Sequence, residues 1–195
     1  MRCSHGCVQL QAELGNHLWD ISRAGFNSHH QCLDDVLQEM ARISQTYGFS
    51  VTVEPRTYHG EDRRRPDILY HLGLRSVAID LTVVDATCPS HAPESAHSQG
   101  RAAAIAAKDK IIYHSARVES FGHTFFPVAL EALGHMDSMV TDFVRRLARE
   151  LSPHLRVPFS RSLLHAIATT SQSGSAAIID TARRRLRSRA SLVHC

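Results

Sequence analysis

Two aspartates, Asp67 and Asp80, lie where a β-hairpin would bring their carboxylates together. The surrounding residues are mostly β-branched and aliphatic, which predicts strands over 67–72 and 75–84. Gly73-Leu74 between the strands suits a type II′ turn. With that turn Asp67 pairs with Asp80 on one face, with their Cβ atoms about 5 Å apart. Because like charges so close repel each other, the pattern predicts a site for a hard divalent cation such as Mg²⁺.

The alternative interpretation is that one aspartate is a solvated turn or edge residue and that the pairing is coincidental. Four apolar residues alternate with Asp80 and predict that its strand is buried on the other face: Val77, Ile79, Leu81 and Val83. The residues on the aspartate's own side, Ser76 and Ala78, are small and leave room for a ligand. The apolar face and the small neighbours of Asp80 favour the metal site over a solvated aspartate.

The length of 195 residues suits one domain with its own core. No run of 18 apolar residues and no signal-peptide pattern occur, which predicts an intracellular protein without a membrane partner. The five cysteines show no disulfide-scaffold spacing and predict free thiols in a reducing compartment.

The charge is unevenly distributed. Residues 142–195 hold ten arginines and three acids, so with a net charge of +3 the first 141 residues carry −4. A basic segment beside an acidic body suits a protein that handles polyanions. The most basic run contains Arg183, Arg184, Arg185 and Arg187; a phosphate-contacting arm, a nuclear-import patch and a solvated helix all remain open for it.

Only two of the 22 basic residues are lysines, Lys108 and Lys110. Both lie on a helix predicted over 101–118. At 100° per residue Lys108 falls within an apolar stripe that includes Ile105 and Ile112, whereas Lys110 falls on the far side. A lysine in a core-facing stripe needs a carboxylate partner or must extend to solvent, so this wheel favours Lys108 as the partner of the aspartates.

The remaining chain predicts further elements. Helices are expected over 31–47, 138–151, 159–170 and 176–189, strands over 49–54 and 124–133, and a loop over 85–101. The loop contains Cys88, His91 and His97, which are candidate metal ligands or solvated side chains. The resulting organisation is an arm over 1–28, a core over 29–152 and a basic helical extension over 153–195.

A second metal, zinc, is a minor expectation for the N-terminal region. The candidate ligands are Cys3, Cys7, His17, His29, His30 and Cys32. Their spacing matches no compact zinc-finger pattern, which favours a partial site or none. If zinc is bound there, a small zinc-containing regulatory protein becomes a further interpretation.

The order helix, strand, strand, strand, helix, strand, helix resembles the PD-(D/E)xK nuclease superfamily. Pro66-Asp67 and Asp80 match its acidic motif, whereas Thr82 stands where the superfamily usually has lysine. In some branches that lysine lies on the following helix, where this chain has Lys108 and Lys110. The resemblance implies a restriction-endonuclease-like α/β fold, with an α-β-β-β-α-β core, a mixed sheet flanked by helices, and extra C-terminal helices.

Over roughly residues 30–170 the chain more closely resembles the restriction-like endonuclease domain of site-specific non-LTR retrotransposons. The similar segments are Arg65-Pro66-Asp67, Asp80-Leu81-Thr82-Val83-Val84, the lysines before Tyr113, Phe125-Phe126-Pro127-Val128 and Gly134, with His30 and Glu54-Pro55 as weaker matches. The offset from Tyr113 favours Lys110, whereas the helical wheel favours Lys108. The chain has no reverse-transcriptase region, so a detached domain or an element remnant is implied.

This resemblance implies a Mg²⁺- or Mn²⁺-dependent DNA endonuclease. Asp67 and Asp80 would hold the metal, and Lys108 or Lys110 would act on the phosphate or water. Arg63, Arg64 and the C-terminal arginines would contact the DNA backbone. The implied partners are DNA and a reverse transcriptase or RNA of the same element, and the location is intracellular or nuclear. The alternative is an inactive nucleic-acid-binding or assembly module that retains the fold.

Overall fold

A four-stranded sheet with helices on both faces organises the chain. The computed structural model describes residues 31–56 and 65–192, without the side chains of 182 and 185–192. Residues 31–46 are helical (α1). The elements that follow are β1 (Ser50–Val53), β2 (Ile68–Leu72), β3 (Arg75–Val84), α2 (Ala92–Ser95), α3 (Arg101–Ser120), β4 (Thr124–Glu131), α4 (Ser138–Arg149) and α5 (Pro153–Leu192). The predicted α/β class with a mixed sheet is therefore confirmed.

The predicted hairpin forms between β2 and β3. Leu72 pairs with Arg75 and Tyr70 with Val77, which is the expected register. Gly73 has a φ of 63°. Within the described residues Leu74 is not among those with positive φ, as a type II′ turn requires. Local turn chemistry thus sets the register of the strands that carry both aspartates.

The strands follow the order β1-β2-β3-β4. The first three pair antiparallel, whereas β3 and β4 pair parallel. Parallel neighbours need a long crossover connection, and α3 supplies it. Because α3 lies between β3 and β4 in the chain, it packs against these same two strands.

The main hydrophobic core lies on the sheet face covered by α1, α4 and α5. The sheet contributes alternating buried residues, namely Ile68, Tyr70, Val77, Ile79, Leu81, Val128 and Leu130. The helices contribute others, among them Met40, Phe143, Leu147, Phe159, Leu163 and Ile167. Since Val77, Ile79 and Leu81 point into this core, the period of two turns Ala78 and Asp80 toward the opposite face and α3.

Helix α3 packs through small residues. Ala103 and Ala107 are buried against Ala129 of β4, so the helix backbone can lie close to the sheet. Ile112, which the helical wheel placed in the core-facing stripe, is 73% exposed. The predicted orientation of this helix is therefore wrong. The side that contacts the sheet is defined largely by alanines, which contribute little hydrophobic contrast, together with the partly buried Ile111.

The two helices predicted after residue 158 are one helix, α5. The sequence analysis left residues 171–175 between two helices, but Gly174 in this interval is helical and lies against Cys32 of α1. A Cβ at residue 174 would overlap Cys32 Sγ. Glycine is present there because two helices approach closely, so the predicted break is wrong.

The predicted extension also shares the core of the preceding residues, since the first half of α5 supplies Phe159, Leu163 and Ile167. The predicted N-terminal arm lies outside the described residues, and so do all the candidate zinc ligands except Cys32. Within the described residues no helix has the length and apolar character needed to cross a membrane.

Candidate active site

The hairpin holds the Asp67 carboxylate beside β3. The Asp67 backbone N–H donates to the Ile79 carbonyl at 2.8 Å, which extends the strand pairing one step beyond β2. The Asp67 side chain turns across the hairpin, and its Oδ2 accepts a hydrogen bond from the Leu81 N–H at 2.7 Å. Two contacts to one neighbouring strand therefore fix the position of this carboxylate.

Asp80 lies in the middle of β3 and is 4% exposed. Lys110 Nζ of α3 is 2.5 Å from Asp80 Oδ2, and the lysine side chain remains 31% exposed. The contact is short but is not aligned as a hydrogen bond, because Oδ2 accepts none from any described residue. The buried carboxylate is thus neutralised by an amine that solvent can still reach.

Burial and the neighbouring charge of Asp80 strongly affect the Asp67 carboxylate. The pKa of Asp67 is raised from 3.8 to about 7, mainly by burial and then by the negative charge of Asp80. The hydrogen bond from Leu81 and the positive charge of Lys110 oppose this rise. Asp67 therefore changes its charge near neutral pH, which is the behaviour expected of two acids that share one site.

Of the two candidate lysines, the structure places Lys110 at the site. Lys108 is exposed, so the preference of the helical wheel for Lys108 is wrong. The offset from Tyr113 favoured Lys110, the lysine that contacts Asp80. The stripe that faces the sheet is Ala103, Ala107, Lys110, His114 and Val118, at spacings of three and four residues.

His114 belongs to the site, although the sequence analysis did not select it. Its Nε2 lies 3.6 Å from Asp80 Oδ2. The ring is 4% exposed and packs against Phe125 with ring centroids 5.5 Å apart. The signal in the sequence was its position four residues after Lys110, which puts both side chains on one face of a helix.

The other predicted ligands that the structure describes are not grouped as a second metal centre. Within residues 31–56 and 65–192 no group of three or more His, Cys, Asp or Glu side chains is arranged to hold a metal. Cys88 contacts the Ser90 hydroxyl at 3.0 Å. Cys32 is buried and contacts the Ser171 carbonyl at 4.0 Å. The prediction for the other N-terminal Cys and His residues lies outside the described residues.

Of the predicted DNA-contacting arginines, the structure describes the side chains of Arg183 and Arg184 only. Arg183 and Arg184 are exposed on α5, and Arg184 Nη2 pairs with Asp180 Oδ2 at 2.5 Å. Arg63 and Arg64 lie outside the described residues, as do the side chains of Arg185 and Arg187. Their part in DNA binding stays a prediction.

Asp67, Asp80 and Lys110 thus bring two carboxylates and one ammonium group together from a hairpin and a crossover helix. Oxygen ligands of this kind suit a hard divalent cation, and the ammonium group can stabilise negative charge on a neighbouring phosphate. No protein-family model matches the chain, and no curated protein matches its sequence. The function must therefore be inferred from the geometry of these three residues.

Proposed function

We propose that the chain is a metal-dependent endodeoxyribonuclease that nicks DNA by hydrolysing a phosphodiester bond. The observation that carries the proposal is the meeting of Asp67, Asp80 and Lys110 on one sheet face. The order of strands around them also agrees with the resemblance to the restriction-like endonucleases of non-LTR retrotransposons. An origin in such an element, with its RNA or reverse transcriptase as a partner, is part of this proposal.

The donor set at the site fits Mg²⁺ or Mn²⁺. Asp80 Oδ2 is buried and lies 2.5 Å from Lys110 Nζ without an aligned hydrogen bond, so a cation between the carboxylates would share this oxygen with the ammonium group. Burial and then the negative charge of Asp80 raise the pKa of Asp67, and a cation between the carboxylates would relieve the repulsion between them. A bound Mg²⁺ would polarise the scissile phosphate and lower the pKa of a coordinated water.

The protein groups have separate roles. Leu81 fixes the orientation of Asp67 through its N–H, so one oxygen ligand is positioned before any substrate binds. Lys110 supplies a preorganised positive charge to the negative charge that develops on the phosphate. His114 lies against Asp80 and limits the positions of its carboxylate. These roles need no movement of the strands.

A nicking assay on supercoiled plasmid with Mg²⁺ tests the proposal. We expect the wild type to cut, and Asp80→Asn and Lys110→Met each to lose at least about 100-fold in rate, the scale for removing one preorganised charge. Lys108→Met is the matched control, because it removes the same charge from the same helix outside the site. Absence of cutting by the folded wild type would contradict the proposal, as would an equal loss in the control.

The second candidate is a nucleic-acid-binding or assembly module that does not cut. The specific observation in its favour is the direct Lys110–Asp80 contact, since an ion pair can satisfy a buried carboxylate as part of the structure. Thr82 at the usual lysine position also agrees with it. DNA retention by the wild type without nicking, under Mg²⁺ and under Mn²⁺, would select this candidate.

A further inference from the structure

A basic groove of about 540 Å³ lies between α4 and α5. Its lining includes four arginines and no acidic residue, the arginines being Arg145, Arg149, Arg156 and Arg161. All four arginines are exposed. Apolar side chains such as Val144 and Leu164 form part of the lining between them. Four of the ten arginines in residues 142–195 therefore surround one concave surface.

The four arginines differ in how they are held. Arg145 pairs with Asp142 at 2.9 Å. Arg156 donates to the carbonyls of Leu151 and Arg149 at 3.0 and 3.3 Å, near the end of α4. Arg149 and Arg161 have no carboxylate partner among the described residues. Two fixed guanidinium groups thus stand beside two that are available to a ligand.

We infer that this groove binds the phosphodiester backbone of a nucleic-acid strand. The inference rests on the proposed function only in taking nucleic acid as the partner, and it does not require cutting. A guanidinium group offers paired donors that match two phosphate oxygens. Two arginines four residues apart, Arg145 and Arg149, are separated by about 6 Å along α4. A duplex strand places one phosphate about every 3.4 Å along its axis.

The shape and charge of the groove favour a strand over other anionic partners. A membrane surface is broad, so it meets protruding basic residues more easily than arginines around a concave groove. A single small phosphate would engage one or two arginines and leave the others unneutralised. A strand presents a row of phosphates and can reach Arg149 and Arg161 together, beside the charges of Arg145 and Arg156, while its sugars lie over the apolar lining.

The groove lies in a different layer from the carboxylates. Val144, which helps to line it, belongs to the core on the sheet face opposite α3, whereas Asp80 contacts Lys110 of α3. The groove would therefore hold nucleic acid at a distance from the proposed cutting site. Binding at the groove and cutting at the aspartates can consequently be tested separately.

The test is the affinity of the full chain for three fluorescent probes: an oligothymidylate, an RNA of equal length and a DNA duplex. Anisotropy is measured in EDTA, so that no cutting occurs, over about 50 to 200 mM salt. Arg149→Gln/Arg161→Gln removes two available guanidinium groups. Arg42→Gln/Arg75→Gln is the control, because it removes two exposed arginines outside the groove.

We expect the groove variant to bind at least one probe about tenfold more weakly, with a salt slope smaller by about 1.4 to 1.8 for two lost phosphate contacts. The control should change less than about twofold at the same salt. Asp142→Asn should tighten binding, because it removes a carboxylate that pairs with a groove arginine. Circular dichroism of each variant checks that the fold is retained.

Equal loss in the groove variant and the control would overturn the inference, and so would no loss with any probe. Binding to phosphatidylserine vesicles that is lost in the groove variant while nucleic-acid binding persists would also overturn it, since the groove would then serve a membrane. If the wild type binds through the groove but never nicks plasmid with Mg²⁺, the inference stands and the proposed cutting fails. If the wild type nicks plasmid and the groove variant binds nucleic acid normally, the proposed cutting stands and the inference about the groove fails.

Discussion

Replacing Asp67 by Asn should make the protein more stable at alkaline pH than the wild type is. The pKa of Asp67 is about 7 in the folded chain, against an ordinary value of 3.8. Between these values the folded protein holds a proton that the unfolded chain has lost. The contribution of Asp67 to stability is therefore complete below about pH 4 and is lost as the pH rises through 7. Asparagine stays neutral and keeps an oxygen for the Leu81 N–H.

The size of the effect follows from the two pKa values. Between about pH 5 and pH 8.5 the wild type should lose about 3 kcal/mol of unfolding free energy through this one group. The Asp67→Asn variant should not show that loss. Urea unfolding of both proteins at the two pH values, in EDTA, measures the difference, and titrating groups distant from Asp67 cancel because both proteins contain them.

The matched control is Asp142→Asn, which removes a carboxylate that is exposed and paired with an arginine at the surface. It should change stability by less than about 1 kcal/mol at either pH. If Asp67→Asn and the wild type lose stability in parallel as the pH rises, the pKa of Asp67 is not raised by burial and by Asp80 in the folded chain. In that case the proposed metal centre would lose its main support.

Three further changes test the site and the packing around it, each by urea unfolding. Lys110→Ala should destabilise the fold by about 2 kcal/mol, because it leaves the buried Asp80 carboxylate without its cation. Lys108→Ala should change stability by less than about 0.5 kcal/mol. Equal effects would contradict the assignment of Lys110 to the site. Gly174→Ala should cost about 2 kcal/mol through overlap with Cys32, and the cost should fall in a Cys32→Ala background. Glu131→Ala should lower the unfolding free energy by about 1 kcal/mol. The buried Glu131 Oε1 accepts hydrogen bonds from two backbone N–H groups at the start of α3, at 3.2 and 3.4 Å. No change in stability would show that solvent satisfies those N–H groups.

The hairpin could be predicted from sequence because its determinants are local. A two-residue turn with Gly73 first, together with alternation along β3, fixes both the register and the face of each side chain. The pairing of Asp67 with Asp80 follows from that register without knowledge of the remaining fold. The same reasoning succeeded for α4, whose apolar residues recur at strict helical spacing.

The orientation of α3 and the continuity of α5 depend on contacts that the sequence does not mark. An alanine-rich helix has little contrast between its faces, so the isoleucines misled the wheel and Lys110 was placed on the wrong side. Gly174 breaks an isolated helix pattern but fits a close contact with Cys32, more than a hundred residues away. His114 was missed because its relation to Asp80 depends on the orientation of α3.

The type II′ turn between β2 and β3 has a consequence for how this chain tolerates insertions. One residue added between Gly73 and Leu74 would, if the strands slipped by one position, invert the facing of every side chain on β3. Val77 and Ile79 would then leave the hydrophobic core, and this would cost far more free energy of folding than a bulged loop. The added residue should therefore be absorbed at the tip, because the buried side chains of β3 hold the same register that the two-residue turn favours, and the two acids should stay paired.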